Sequence, residues 1–180
     1  MIIFDTETTG LIKNGLIELS KQPQIIEFAA IKLDDNTLEE VDRIDFLVNP
    51  NVRLPEIITK ITGLTDQDLI EQPNFSHYFP TLVKFWFGEK HSFAHNHAFD
   101  TGMMSLELRR LKRQYQFPWS PIQHCTVNKT YSLKGYRLKL QGLYFHLFNK
   151  EFEEAHRAMK DVEALTECVK ELLKTGVIKL

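Results

Sequence analysis

Met1-Ile2-Ile3-Phe4-Asp5-Thr6-Glu7-Thr8-Thr9-Gly10 opens the chain with an apolar run that ends in two carboxylates. Residues Met1 to Asp5 read as a β-strand, uninterrupted by any turn residue. Alternate residues of a strand share a face, so Asp5 and Glu7 project together from its tip. Two like charges so close repel unless something positive lies between them. A hard divalent cation such as Mg²⁺ or Mn²⁺ takes oxygen ligands and would meet that need. An acidic turn in water, where Asp, Thr and Gly are common, is the other reading of the same residues.

Two further segments bear on the choice. In Ala94-His95-Asn96-His97-Ala98-Phe99-Asp100 a short apolar piece gives way to a polar cluster and then to a helical pattern. His156-Arg157-Ala158-Met159-Lys160-Asp161 opens the last helix. The His-x-x-x-x-Asp spacing has no weight alone. With seven His among 180 residues, chance supplies roughly a third of such a pair at ordinary composition, and His95 to Asp100 is a second instance. Context selects His156, because Ala158 follows and Asp161 begins a strongly periodic helix. The ordered set of three motifs resembles the DnaQ-like 3′–5′ exonucleases, the DEDDh group of the ribonuclease H-like superfamily. The resemblance runs from Ile2 to the final helix.

That resemblance implies an α/β fold, a ribonuclease H-like mixed five-stranded sheet flanked by helices on both faces, with the acids at the ends of central strands. It implies two divalent cations, Mg²⁺ or Mn²⁺. Asp5, Glu7 and Asp161 would hold the ion that activates water. Asp5 would bridge to the second, with Asp100 contributing directly or through water. His156 would be the general base, a role suited to an imidazole with an ordinary pKa near 6.5; a structural hydrogen bond at a helix start is its alternative. Tyr in the base position would call for a different spacing, so His156 points to the DEDDh branch. Substrate contacts are expected from Thr6, Thr62, Gly63, Leu64, Asn96 and His156. Within Ile61-Thr62-Gly63-Leu64-Thr65, Gly63 would allow close approach and Leu64 would wedge beside the last base. The same residues also read as a helix C-cap with its apolar contact. Asn96 equally reads as a satisfied loop residue. His95-Asn96-His97 is not an HNH nuclease motif, whose parts come from distant segments, and a His95–His97 metal pair would favour softer metals than an acid-rich site selects.

The activity implied is a metal-dependent 3′–5′ exonuclease releasing nucleoside 5′-monophosphates from single-stranded or frayed DNA. The partner is a nucleic acid with a free 3′ end, DNA favoured because the motifs look most like proofreading-type members. An exoribonuclease or oligonucleotide-trimming enzyme of the same branch is the alternative, since 2′-OH tolerance depends on packing around the terminal sugar. A non-catalytic polymerase-associated module would usually have lost an acid, and none is missing. A polymerase partner is compatible with this reading, but the nineteen residues after Asp161 all belong to the last helical pattern, so no C-terminal tail for it is expected.

Composition bounds the rest. A chain of 180 residues suggests a single domain spanning residues 1–180, with a core large enough to stand alone. Its net charge of −2 provides no global basic field, so attraction of nucleic acid rests on local patches and bound metal. Cys125 and Cys168 lack metal-type spacing and read as free buried thiols. No run is long or apolar enough for a membrane span, and the chain begins with a strand rather than a signal peptide. A soluble, reducing compartment such as the cytoplasm is expected.

Along the chain, further strands are predicted at Gln24–Leu33, Val41–Val48, Ser92–His95 and His124–Val127. Helices are predicted at Glu56–Thr62, Phe79–Phe87 closed by Gly88, from Asp100 towards Tyr115, at Leu138–Leu147, and from Ala158 through Leu172. Asp34-Asp35-Asn36-Thr37 reads as a hairpin turn. Short links between the first three strands imply antiparallel pairing. Arg109, Arg110, Lys112 and Arg113 read as a solvated helix face, and Phe85-Trp86-Phe87 as core. Lys129, Lys134, Arg137 and Lys139 form a looser basic group.

Overall fold

The computed structural model describes residues 1–152 and 156–180. Among these, five strands form one mixed sheet in the order β3-β2-β1-β4-β5. β1 (Ile2–Thr8), β2 (Ile25–Leu33) and β3 (Glu40–Leu47) are antiparallel neighbours, whereas β4 (His91–Ala94) and β5 (Ile122–Cys125) run parallel to β1. β2 lies between two partners and under helices, so its residues are buried nearly throughout; a strand covered on both faces reads as a continuous apolar run. The β2–β3 turn forms as expected, because Asp34 Oδ1 accepts the N–H groups of Asn36 and Thr37 at 2.9 and 2.8 Å.

Helices cover both faces, as the sequence reading expects. α7 (Leu140–Phe148) and α8 (Ala158–Lys174) pack with Met1, Ile3, Ile31 and Phe93 on one side. α3 (Phe75–Trp86) and α4 (His97–Arg110) pack with Ile2, Phe4 and Phe28 on the other. Alternation along β1 therefore sends Ile3, Asp5 and Glu7 to the α8 face, and Phe4, Thr6 and Thr8 to the α4 face. A third cluster, Ile26, Leu54, Leu64 and Leu69, secures α1 (Glu56–Thr62) and α2 (Asp66–Leu69). The short helices α5 (Thr126–Lys129) and α6 (Tyr131–Lys134) join β5 to α7. No helix among the described residues is long and apolar enough to cross a membrane.

Several boundaries differ from the sequence expectation. β1 runs three residues beyond Asp5, because Thr6, Glu7 and Thr8 stay paired with Phe28, Glu27 and Ile25. α3 begins at Phe75, four residues before the predicted start, with Pro80 inside it. α4 begins at His97 and ends at Arg110; Lys112 then takes a positive φ of 56°, and Tyr115 is 94 % exposed. β5 lies two residues earlier than expected, since Thr126 already starts a helical turn. α7 spans Leu140–Phe148 rather than Leu138–Leu147. Phe85 and Trp86 are core, but Phe87 beyond the helix end is 77 % exposed. Both cysteines are free, Cys168 buried and Cys125 only partly so. Arg110 is no solvated side chain: it pairs with Glu107 at 2.8 Å and caps the carbonyls of Leu19, Gln22 and Pro23.

Candidate active site

The sheet topology opens a notch where the acids gather. β4 pairs with β1 at Ile2 and Ile3, then ends, and the chain reverses at Asn96 with φ 76° into α4. The second half of β1, carrying Asp5 and Glu7, thus lies beyond the carboxyl end of its parallel neighbour. Crevices outside the carboxyl ends of parallel strands are the usual ligand sites of α/β sheets. Asp5, Glu7, Asp100, Asp161 and His156 line one cleft of about 310 Å³.

Each acid reaches it from a different support. Asp100, in the first turn of α4 and buried, comes from the opposite face of the sheet and is tied to β1. Thr6 donates both its backbone N–H (3.1 Å) and its hydroxyl (2.8 Å) to Asp100 Oδ1. Asp161 sits in the first turn of α8, over the Asp5–Glu7 face, and its Oδ2 accepts the backbone N–H of His156 at 3.0 Å. His156 is exposed at the cleft with φ 70°. Glu7, His156 and Asp161 offer ligand atoms all within 4.8 Å of one another.

Burial and mutual repulsion raise the pKa values of the four acids. Burial, then repulsion from Asp100, Asp161 and Glu7, pushes the Asp5 carboxyl well above the ordinary carboxylate range. Burial first and Asp161 and Glu27 next raise Glu7 to about 8. Burial raises Asp100 to about 7 against the pull of the two Thr6 bonds. Burial raises Asp161 to about 6, opposed by the His156 N–H. Four carboxylates so placed, all hard oxygen donors, fit divalent cations, whose charge would reverse these shifts.

Of the other residues expected at the site, Thr6 lines the cleft, whereas Leu64 does not. Leu64 is 4 % exposed, its side chain in the interior cluster with Ile26, Leu54 and Leu69 rather than in the cleft. The apolar side chains that this segment does expose are Ile57 and Ile61. Gly63, at φ 74°, caps α1 through its N–H to Thr59 O, and Thr62 Oγ1 accepts the Leu64 N–H. Thr6 lines the cleft and bonds Asp100 there. The Asn96 amide oxygen accepts a bond from Arg137 at 3.1 Å. His97 is buried against Ser92 and Phe4, and His95 bonds Thr126 and the Leu138 carbonyl, so the two do not form a metal pair.

The sequence reading passed over Glu27. It lies opposite Glu7 on β2, is 1 % exposed, and accepts bonds from the Arg157 guanidinium and the Ala158 N–H. The signal was present: one acid inside Ile25-Ile26-Glu27-Phe28-Ala29-Ala30-Ile31 is an ionisable group in an otherwise apolar strand. Lys139 and Gln141 also line the cleft.

Comparisons with known proteins bear on the family and the fold. The family model described as Exonuclease (RNase_T) matches residues 2–169. The chain is 31 % identical over 172 residues to the PolC-type DNA polymerase III of Clostridium perfringens, covering 94 % of this chain and 11 % of that protein. It therefore spans about a tenth of the length of such relatives. Among solved structures it resembles Exonuclease X in complex with 5′ overhanging duplex DNA, with TM-score 0.68, 20 % identity, and 99 % and 93 % of the two chains covered. It also resembles the nuclease domain of 3′hExo, a DEDDh family member bound to rAMP, with TM-score 0.77, 18 % identity, and 98 % and 92 % covered. With the motifs, the mixed sheet and a family match along most of its length, the chain belongs to the exonuclease family, as a DnaQ-like member of the ribonuclease H-like fold.

Proposed function

We propose that the chain is a metal-dependent 3′–5′ exonuclease that removes nucleoside 5′-monophosphates from single-stranded or frayed DNA. The observation that carries this reading is the convergence of Asp5, Glu7, Asp100 and Asp161, from three distant segments, with His156 in one cleft. Mg²⁺ or Mn²⁺ would be held by these four carboxylates, and when bound such ions supply charge relief and Lewis acidity for phosphodiester hydrolysis. His156 takes the proton of the attacking water on a ring nitrogen, as its exposed place at the cleft and its backbone tie to Asp161 allow. Thr6 holds the Asp100 carboxylate in position through two donors on one oxygen. Lys139, on the cleft wall, meets the phosphodiester backbone of the strand.

DNA is favoured because the sequence relatives are named as DNA polymerases. RNA is the second reading, favoured by the rAMP named with one structural neighbour. Digestion of matched 5′-labelled DNA and RNA oligonucleotides with Mn²⁺ tests both. The expected result is progressive shortening from the 3′ end, faster on DNA, with a 3′-blocked strand resistant. Efficient cutting of a closed single-stranded circle would replace this reading with an endonuclease.

A further inference from the structure

We propose that Glu27 and Arg157 form a latch that positions His156, with Glu27 a positioning residue and not a metal ligand. The inference rests on the exonuclease reading above for its kinetic part, and on geometry alone for its structural part.

Both oxygens of Glu27 are committed. Oε1 accepts Arg157 Nε at 3.1 Å and Nη2 at 2.9 Å, and Oε2 accepts Nε at 3.2 Å and the Ala158 N–H at 3.1 Å. The carboxylate is buried in a central strand, in register with Glu7, so it cannot move to meet another partner without breaking the sheet. Arg157 is about half exposed and presents a planar fork to a carboxylate, the arrangement in which Arg is not replaceable by Lys. Arg157 and Ala158 directly follow His156 and begin α8. The latch therefore fixes to β2 the point at which the chain enters the helix.

His156 depends on that point. Its φ of 70° is the left-handed conformation that residues other than glycine adopt only when surrounding bonds impose it. The bonds that impose it here are its own N–H to Asp161 Oδ2 on the far side and the Arg157–Glu27 fork next to it. Glu7, opposite Glu27 on the neighbouring strand, shares a ligand-sized space with His156 and Asp161. Loosening the fork would leave the four acids in place and release the imidazole.

The test is Arg157→Lys, which keeps the charge and loses the fork, with Glu27→Gln as a second variant. By NMR, the His156 amide should exchange with solvent at least tenfold faster in Arg157→Lys than in the unaltered protein. Unchanged protection would overturn the latch whatever the enzyme's activity. In Mn²⁺-dependent digestion, kcat should fall about tenfold with KM within twofold. In a His156→Ala background the same change should then cost nothing further. An equal loss in both backgrounds would overturn action through His156. Calorimetric titration with Mn²⁺ should give the same stoichiometry in Glu27→Gln as in the unaltered protein, and loss of a bound ion would overturn its assignment as a non-ligand. An inactive protein that still shows the amide effect would sink the exonuclease reading and leave the latch standing.

Discussion

Asp5 illustrates how one residue links burial to function. Its carboxylate is held among three other acids on a strand that cannot move away, so without cations it is a source of repulsion. Asp5→Asn should abolish Mg²⁺-dependent hydrolysis and also raise the melting temperature in EDTA, since it removes the cost of holding that buried acid protonated or charged among the others. A variant that keeps full activity, or that melts lower, would contradict the metal assignment. His156→Ala should cut kcat by roughly 10²–10⁴-fold if the imidazole takes the proton, with oligonucleotide KM little changed in initial-rate assays. At this scale the sequence was legible for residues whose chemistry is unusual for their setting. Asp5, Glu7, Asp100, Asp161 and His156 all line the cleft. It was not legible where a side chain has two plausible fates. Leu64 was expected at substrate and faces the interior instead. No local pattern distinguishes an apolar wedge from an apolar anchor.

Elements carry the site through their ends. β4 is only four residues long, and α4 begins three residues after it ends, so Asp100 falls in a first turn aimed at β1. The length of β1 was underestimated because Thr6-Glu7-Thr8 is polar, and its strand character comes from pairing with β2. α3 begins four residues before the expected Phe79 and accommodates Pro80 internally. The first three strands and α8 were readable because their apolar periodicity is undisturbed. Within the basic run at the end of α4, Arg109, Lys112 and Arg113 are exposed as expected, but Arg110 was misjudged because it finds partners far away in sequence. It neutralises the buried Glu107, whose other bond is from the Ile25 N–H, and holds the segment leading into β2. Arg110→Ala should therefore destabilise the protein by about 3–5 kcal/mol, the cost of leaving a buried acid unpaired. Urea denaturation measures this; a change within experimental error would return Arg110 to the solvated face.

Across the whole molecule, titration ties fold stability to the cleft. Glu7 at about 8 and Asp100 at about 7 hold protons in the folded state that the unfolded chain, with carboxyls near 4, has already released. A folded state that binds more protons loses stability as pH rises, here through the whole window from about 4 to about 8. Between about pH 4 and 6.5 the histidines oppose this slope: burial holds His95, His97 and His124 to about 4, so there the unfolded chain takes up their protons first. Above about pH 6.5, of these groups only the acids act. In EDTA the melting temperature should drop by about 5 °C between about pH 6.5 and 8.5. Saturating Mn²⁺ should remove the alkaline drop, because bound cations favour the ionised acids. A flat alkaline limb in EDTA would mean that the acids do not interact as described.

All of this depends on cations bound among the four carboxylates. Anomalous diffraction from crystals soaked in Mn²⁺ tests it most directly. Peaks between the Asp5, Glu7, Asp100 and Asp161 oxygens are the predicted result. Manganese bound only elsewhere, in protein that digests DNA when Mn²⁺ is added, would contradict it.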